Sequence, residues 1–187
     1  MRTSKRTRIL DAVVAIIQRD GVTAVTFDAV GAEAKLTRGG LLYHFPSREE
    51  LILATHRHLA EGWEKEMVKA AGKDAATATP EERLAAYVQT CAKAANRAEL
   101  ILMLESVNEP GFSEIWQDVI DRWTPPVPDP DEPALSRFIA RIAADGLWIH
   151  EALSSRPLPK KLKDRIARQI VASADPQHST VKGDGSK

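Results

Sequence analysis

The 187-residue chain has little of several residue types, and each shortage excludes a class of protein. Its single cysteine, Cys91, cannot form an intramolecular disulfide or a cysteine-based zinc cluster. No run approaches the roughly 18 consecutive apolar residues that a membrane span needs. The basic N-terminus leads into a segment interrupted by Asp11, Gln18, Arg19 and Asp20, which is not the apolar core of a signal peptide. We therefore expect a cytoplasmic protein without a membrane segment.

Net charge is also absent, but the two signs are unevenly distributed. Lysine plus arginine and aspartate plus glutamate both total 26. Residues 1–48 hold eight basic and four acidic residues, so this segment carries +4 and the remainder −4. A basic segment on an acidic body favours contact between that segment and a polyanion, although a solvated charged surface gives the same count.

Alternation of polar and apolar residues, which marks β-strands, is missing, and apolar residues recur at helical spacing instead. Ile9, Val13, Ile16 and Ile17 share one helix face, for example, and Gly21 ends that helix. The spacing and the capping residues predict about nine helices and an all-α fold. These helices cover about 4–20, 27–34, 37–45, 47–67, 80–91, 100–107, 112–123, 134–153 and 162–170.

The predicted connections divide the chain into domains. Five prolines between Thr124 and Pro133 predict an extended loop. The polar segment from Asp175 onward predicts a disordered tail over 175–187. We expect a helix-turn-helix domain over 1–46 and a helical ligand-binding and dimerisation domain over 47–174.

The second and third predicted helices are short, joined by a tight turn and set in the basic segment, which is typical of a helix-turn-helix. Arg38 lies where the second of these helices would enter the major groove, within reach of a guanine edge or a phosphate. Gly39 and Gly40 each cost up to about 1 kcal/mol of helix stability relative to alanine, which indicates that the backbone approaches a partner closely. Tyr43 and His44, at the far end, can contact flanking phosphates.

The stretch from Arg8 to Ala54 resembles the DNA-binding domain of TetR-family transcriptional regulators. The matching residues are Ile9-Leu10-Asp11-Ala12, Gly21, Thr26, Ala32-Glu33-Ala34, Gly39, Tyr43-His44-Phe45 and Ser47-Arg48-Glu49-Glu50-Leu51. The resemblance implies a three-helix head on a helical body. It also implies a dimeric repressor that a small molecule releases from a palindromic operator on double-stranded DNA.

The resemblance also assigns roles to residues of the head. It implies that Thr26 contacts a phosphate and that Thr37 and Arg38 lie at the groove. It also implies that Tyr43, His44 and Arg48 contact the DNA backbone. The predicted DNA-binding residues are Thr26, Lys35, Thr37, Arg38, Gly39, Gly40, Leu42, Tyr43, His44 and Arg48.

Three of these residues depart from the family pattern. Lys35 stands where the family usually has a turn glycine, so we expect a non-glycine residue in a left-handed conformation there. Gly40 replaces a residue that is commonly threonine and often contacts a base. Leu42 replaces a frequent tyrosine and offers an apolar contact that suits a thymine methyl group.

Purely structural roles compete with several of these interpretations. Thr26 and Thr37 can be helix caps alone. Arg38 can be a solvated surface charge. We expect Phe45 in the small core of the head and Tyr43 on a phosphate.

The body holds all four tryptophans, which can line an apolar pocket or simply form the core. We expect a largely apolar effector. The predicted ligand-binding residues are Trp63, Met67, Tyr87, Met103, Glu105, Asn108, Trp116 and Trp148.

A stripe of small residues on the 134–153 helix favours close approach of a second helix. Ala140, Ala143, Ala144 and Gly146 form it. With the last helix, this stripe would make a four-helix interface across a two-fold axis, as in the resembled family. A homodimer would place two heads on half-sites about one DNA turn apart.

Two other classes of function compete with a regulator. An enzyme or metal protein is disfavoured, because no Ser/His/Asp set, phosphate loop or carboxylate pair occurs and no cofactor is expected. His58 and Glu61 share a helix face, but His56 points about 200° away from His58, so the three do not converge on a metal. A lone Cys91 on an apolar face favours a core residue over a redox sensor. A helical protein-interaction adaptor, whose head no longer reads DNA, stays open as an alternative.

Overall fold

The computed structural model describes residues 4–93, 96–107, 109–127 and 132–175. Within these ranges every regular element is helical, which confirms the all-α prediction. Eight of the nine predicted helices begin within about two residues of the predicted position. The elements are α1 Lys5–Asp20, a 3-10 turn Val22–Ala24, α2 Phe27–Ala34, α3 Arg38–His44, α4 Arg48–Ala71, α5 Pro80–Lys93, α6 Arg97–Ser106, α7 Pro110–Trp123, α8 Glu132–Leu153 and α9 Lys160–Ser173.

Side-chain caps fix the starts of the head helices where the sequence predicts them. The Thr26 hydroxyl accepts a hydrogen bond from the Ala29 amide at 3.1 Å. The Thr37 hydroxyl accepts one from the Gly40 amide at 3.2 Å. Such caps satisfy amide groups that have no partner inside the helix. Gly21, with φ of 84°, ends α1 as expected.

Packing divides the chain into two compact units, one formed by residues 1–62 and 96–117 and the other by 63–95 and 118–187. In the first unit α1 packs against α2, the 3-10 turn and α6. Ile9, Val13, Ile16 and Ile17 are buried there, as their spacing predicts. Phe45 is buried too, with the Arg6 guanidinium 4.9 Å from the centre of its ring, so the core role expected for Phe45 is confirmed.

In the second unit α5, α8 and α9 pack against one another. The side chains of Leu84, Tyr87, Val88 and Cys91 are buried on α5, so the core position expected for the cysteine is confirmed. Thr79 and Glu82 bond each other's backbone amides at the start of α5, the reciprocal arrangement of a capping box. The domain boundary predicted after residue 46 concerns function rather than packing and stays a prediction.

Two details differ from the sequence-based expectation, and a third cannot be compared. Helix α8 begins at Glu132, so Pro133 lies in its first turn, where a missing amide hydrogen costs nothing. Helix α6 begins at Arg97 because the Asn96 side chain caps it, accepting from the Ala98 amide at 2.9 Å. The predicted tail beyond residue 175, and Pro128 and Pro130 of the predicted loop, lie outside the described residues.

The predicted stripe of small residues on α8 is only partly correct. Ala140 and Ala144 have no exposed surface within the single chain, because α8 turns this face toward its own unit. They are therefore unavailable to a second copy of the chain, whereas Ala143 and Gly146 are exposed.

Candidate nucleic-acid interface and body interior

The turn between α2 and α3 depends on two residues in unusual environments. Lys35 adopts φ of 53° and ψ of 50°, which confirms the predicted left-handed conformation of a non-glycine residue. The next amide, of Leu36, donates to the Gly31 carbonyl at 2.9 Å. A Cβ on Gly31 would lie 3.0 Å from the Leu36 carbonyl oxygen and 3.5 Å from Leu41 Cδ1. Glycine at position 31 thus lets the turn fold back onto α2, a role that sequence reasoning missed although a glycine inside a short helix was a visible signal.

The outer side of α3 presents predicted DNA-binding residues to solvent. Arg38, Gly39, Leu42 and Tyr43 are all exposed, with 40% of Leu42 and 85% of Tyr43 accessible. A Cβ added at Gly39 would have no neighbour within 4 Å, so the surface beside this residue is open. The helix therefore offers an unobstructed face of the size that a major groove accepts.

Arg38 is held by groups that a nucleic acid can replace. Its Nη1 lies 3.2 Å from Asp28 Oδ1, and its guanidinium lies 6.0 Å from the centre of the Phe27 ring. Both charged side chains are largely exposed, and an exposed ion pair of this kind contributes at most about 1 kcal/mol. Arg38 can therefore give up its contact with Asp28 for one with a phosphate or a guanine edge at little cost in free energy.

A depression brings together five of the predicted DNA-binding residues with two that were not predicted, Lys5 and Leu36. Its lining includes Lys5, Lys35, Leu36, Thr37, Gly40, Tyr43 and His44. The two lysines come from the start of α1 and from the turn, so two positive charges flank the polar groups of α3. This arrangement of cations and hydroxyl groups suits phosphate oxygens. The sequence does not indicate Lys5, because only folding brings the start of α1 close to α3.

Arg48 has a structural role that the sequence did not reveal. Its Nε donates to the Val25 carbonyl and its Nη2 to the Val22 carbonyl, both at 2.8 Å. The guanidinium thereby ties the start of α4 to the 3-10 turn, which lies just before Thr26. Its predicted contact with the DNA backbone stays a prediction, and so does that of Thr26, which is exposed at the start of α2.

The first unit also buries an imidazole. His56 has no exposed surface, and its Nδ1 accepts a hydrogen bond from Trp116 Nε1 at 2.9 Å. Since an indole can only donate, the histidine proton lies on Nε2. Burial lowers the His56 pKa from 6.5 to about 4, and Phe112 stacks on the ring at 4.6 Å. His56 is therefore a neutral core residue, and its neighbour in sequence, His58, pairs instead with Asp11 at 2.9 Å.

Among the residues that the structure describes, no group of three or more histidine, cysteine, aspartate or glutamate side chains is placed to hold a metal. None of the described helices is both long enough and apolar enough to cross a membrane.

In the second unit two buried aromatic rings lead to a half-buried carboxylate. The rings of Trp63 and Tyr87 meet edge to face, 5.4 Å between centres, and the Tyr87 hydroxyl donates to Asp145. Burial is the main cause that raises the pKa of Asp145, and burial also raises that of Tyr87 well above its usual value. The nearest described cation, Arg141, has its Nε 3.9 Å from the other Asp145 oxygen, too far for a hydrogen bond. The Asp145 charge is thus only partly compensated.

The other predicted ligand-binding residues have diverse environments. Met67 and Trp148 are buried in the second unit. In the first unit Trp116 is buried and bonded to His56, Met103 is half-buried, and Glu105 is exposed. Asn108 lies outside the described residues. That these residues line a ligand pocket stays a prediction.

A second carboxylate of the same unit has a structural role. Glu64 accepts from Arg122 through both oxygens, at 2.9 and 2.8 Å, and from Trp123 Nε1 at 3.2 Å. The hydrogen bonds from Arg122 are the main reason that the Glu64 pKa is lowered. This bidentate pair secures α4 to the end of α7 within the unit.

One face of α8 is apolar and exposed. The large apolar residues on it recur at intervals of three, four or seven, and are 41–70% accessible. These residues are Leu135, Ile139, Ile142, Ile149 and Leu153. Gly146 fills the one gap in the spacing, and a Cβ there would have no neighbour within 4 Å. We call this set the α8 stripe; in a single chain nothing in the described structure covers it.

Two family models match the chain. Residues 9–55 match "Bacterial regulatory proteins, tetR family". Residues 81–175, about half of the chain, match "Tetracyclin repressor-like, C-terminal domain".

Individual relatives match almost the full length. The HTH-type transcriptional regulator BetI of Paraburkholderia phytofirmans is 26% identical over 185 residues, which cover 91% of this chain and 93% of that protein. A transcriptional regulator from Saccharomonospora viridis, solved in complex with choline, is 22% identical with a TM-score of 0.65, covering 89% of this chain and 95% of the other. The multidrug binding protein EbrR, solved with malachite green, is 18% identical with a TM-score of 0.60, covering 90% and 98%. At these identities the two solved structures establish a shared fold.

Proposed function

The chain belongs to the TetR family of bacterial regulatory proteins, and we propose that it is a cytoplasmic, dimeric repressor that a small molecule releases from a palindromic operator. The observation that carries this proposal is the exposed face of α3 beside the depression lined by Lys5, Lys35 and Thr37. It offers side chains to base edges and cations to phosphates from one rigid unit.

The α8 stripe supports the dimer. A row of exposed isoleucine and leucine side chains on one helix is costly in water and is stabilised when a second copy covers it. A two-fold axis through this row pairs identical surfaces, so the two heads would address two half-sites of a palindrome. Binding of both heads at once explains how a repressor gains affinity without further contacts in each half-site.

The interior of the second unit supports an effector that is an apolar organic cation. Aromatic faces attract cations, and the partly compensated carboxylate of Asp145 accepts a hydrogen bond from Tyr87, whose ring meets that of Trp63. The solved neighbours bind choline and malachite green, both of which are cations with apolar groups. The proposed effector is therefore apolar, as the sequence predicts, and also positively charged.

The proposed mechanism is a shift between two states of the dimer. An effector that binds more tightly to the state with mismatched head spacing lowers operator affinity by the ratio of its two affinities. An effector with equal affinity for both states would leave repression unchanged.

The DNA-binding part is tested by fluorescence anisotropy on DNA from upstream of the protein's own gene, across a salt series. We expect tight binding that weakens steeply with salt, because bound lysines and arginines release counterions from the DNA. Arg38→Ala is expected to lower affinity for this duplex by roughly 5- to 100-fold, the range of one bidentate base contact. Asp28→Ala is the matched control, since it removes the partner of Arg38 and keeps the guanidinium.

If the upstream duplex and a scrambled duplex bind equally weakly, the operator either lies elsewhere in the genome or does not exist. Selection of bound genomic fragments separates these cases. If no fragment is enriched, the head does not read DNA and the adaptor alternative becomes the better account.

The effector part is tested by titration calorimetry with choline and with benzyltrimethylammonium, which has the same trimethylammonium group with a benzyl group in place of the hydroxyethyl group. We expect the aromatic cation to bind more tightly, and Asp145→Asn to weaken both by about tenfold while the fold is kept. Unchanged affinity in Asp145→Asn would contradict the assignment of this carboxylate. A neutral isostere of the aromatic cation, 2,2-dimethylpropylbenzene, should not bind.

A further inference from the structure

Among the residues that the structure describes, three threonine side chains are buried, and one of them differs from the other two. The hydroxyl groups of Thr55 and Thr124 each donate to the backbone carbonyl four residues earlier, both at 2.8 Å. Threonines inside helices commonly make this bond. Thr90 on α5 is 5% exposed, and its hydroxyl has no hydrogen-bond partner among the described residues. A buried hydroxyl group in this condition is uncommon and requires an explanation.

The indole N–H of Trp148, on α8, is a second group of this kind in the same unit. The side chain is 7% exposed, and its Nε1 has no hydrogen-bond partner within the described ranges. By contrast, Nε1 of Trp123 donates to Glu64. An indole N–H can only donate, whereas a hydroxyl group can donate and accept. The hydroxyl of Thr90 and the indole of Trp148 therefore both suit an oxygen atom that accepts hydrogen bonds.

Two contacts show that α5 and α8 run in the same direction. Near the starts of the two helices Arg137 pairs with Glu81 at 3.2 Å. Further along both helices the Tyr87 hydroxyl donates to Asp145. Because the helices are parallel and packed together, residues that follow the Tyr87–Asp145 pair by the same number of positions lie at the same level.

Thr90 and Trp148 each follow this pair by three positions, which is about 4.5 Å along the helix axis. Residues three apart share a helix face. The two groups therefore lie on the same side of the Asp145 carboxylate, to which the proposed effector brings its positive charge. An oxygen atom that they bind is a short carbon chain away from that charge.

We propose that Thr90 and Trp148 form a hydrogen-bonding subsite, and that the effector is an organic cation with an oxygen acceptor two or three carbon atoms from its nitrogen. This inference rests on the proposed cationic effector and adds a polar requirement to it. The hydroxyl group and the indole donate to the oxygen, while Asp145 attracts the cation. Buried polar groups without a partner lower the stability of a protein, and the bound oxygen removes this cost.

The first part of the test compares two ligands that differ in one group. Propyltrimethylammonium has a methyl group where choline has its hydroxyl group, and the two cations are otherwise the same. Burial among apolar side chains alone would favour the methyl group by about fourfold. In titration calorimetry we expect the full-length protein to bind choline about tenfold more tightly than propyltrimethylammonium, because its oxygen gains hydrogen bonds.

The second part of the test removes the donors singly. Thr90→Val keeps the shape of the side chain without the hydroxyl, and Trp148→Phe keeps an aromatic ring without the N–H. We expect each variant to lose most of the tenfold preference for choline, while Thr90→Val binds propyltrimethylammonium with unchanged affinity.

Thr90→Val has a further readout that requires no ligand. The ligand-free variant is expected to melt about 2–4 °C above the wild type, because a methyl group replaces a buried hydroxyl that has no partner. Thr55→Val is the matched control, since the Thr55 hydroxyl is already bonded. It is expected not to raise the melting temperature and to keep the preference for choline.

Three results would overturn the inference. Propyltrimethylammonium binds the wild type as tightly as choline does, or Thr90→Val keeps the full preference for choline, or Thr90→Val melts below the wild type. The last result would mean that the hydroxyl is already satisfied in the free protein, as by a buried water. In each case Asp145-dependent binding of benzyltrimethylammonium would persist, so the proposed effector class would stand. If none of the three cations binds, both are overturned.

Discussion

At the scale of single residues, two glycines of the head have different surroundings. Gly31 and Gly39 are both helical glycines in the same small domain. The backbone of the turn presses against Gly31, whereas Gly39 faces open space. The same substitution therefore has opposite consequences at the two positions.

Gly31→Ala is expected to destabilise the protein by about 1–3 kcal/mol, the usual cost of overpacking. Gly39→Ala is expected to raise the free energy of unfolding by up to about 1 kcal/mol through helix propensity. Chemical denaturation of the two variants beside the wild type measures both. Equal effects of the two substitutions would show that the close approach at Leu36 is unimportant.

The buried His56 makes stability depend on pH. The unfolded chain binds a proton on this residue below about 6.5, whereas the folded protein resists protonation until about pH 4. The free energy of unfolding should therefore fall as pH is lowered through this window, by about 3 kcal/mol at its end. His56→Gln, whose side-chain oxygen can still accept from Trp116, should lose this dependence.

Glu99 changes the free energy of unfolding with pH in the direction opposite to His56. Its contribution therefore has to be removed before the effect of His56 is measured. Burial raises the pKa of its carboxyl from 4.5 to about 7, so the folded state binds a proton between these pH values that the unfolded state does not bind. The contribution of Glu99 to stability is thus lost as pH rises toward 7. Denaturation at several pH values of Glu99→Gln, and of the same variant that also carries His56→Gln, gives the contribution of His56 as the difference between the two profiles. Identical profiles would contradict the neutral, buried assignment.

At the scale of helices, the sequence predicts most of the structure because helix starts and ends are local. The Thr26 and Thr37 caps and the Gly21 stop appear where they are expected, and they act within three or four residues, as does the Thr79–Glu82 capping box. The start of α6 was placed three residues late because its cap, Asn96, precedes a mixed segment without a clear apolar face.

Contacts between helices could not be predicted in the same way. Arg48 bonds carbonyl groups more than 20 residues away, and His56 meets a tryptophan 60 residues away. The Ala140 and Ala144 face of α8 was assigned to a partner helix, since small residues favour close approach without indicating to which neighbour. Only packing distinguishes the inner face of α8 from the α8 stripe.

The α8 stripe yields a prediction at this scale. Ile142→Glu would place a charge at the centre of the stripe, where burial against a second copy makes it costly. We expect the variant to sediment as a single chain at micromolar concentration, while the wild type sediments as two chains.

Leu104→Glu is the control for this substitution, because Leu104 is an exposed leucine on α6. It is expected to leave the two-chain species intact. Dissociation by Leu104→Glu and not by Ile142→Glu would move the interface away from α8.

At the scale of the whole molecule, the chain contains two units with different chemistry. One carries the exposed α3 and its cations; the other carries an aromatic interior and the α8 stripe. The charge distribution of the sequence predicts that the first segment contacts DNA, because the first 48 residues hold the basic excess. It could not predict which tryptophans serve structure, because Trp116 is engaged by His56 only in the folded chain.

The most direct test of the account is to count the protein chains that bind a palindromic operator. Sedimentation velocity of the protein with the selected palindrome, and with a single half-site of equal length, gives the mass of each complex. We predict two protomers on the palindrome and at least tenfold weaker binding to the half-site, because both heads act together only on the full site. One protomer on the palindrome, or equal affinity for the two duplexes, would contradict a dimeric operator-binding regulator.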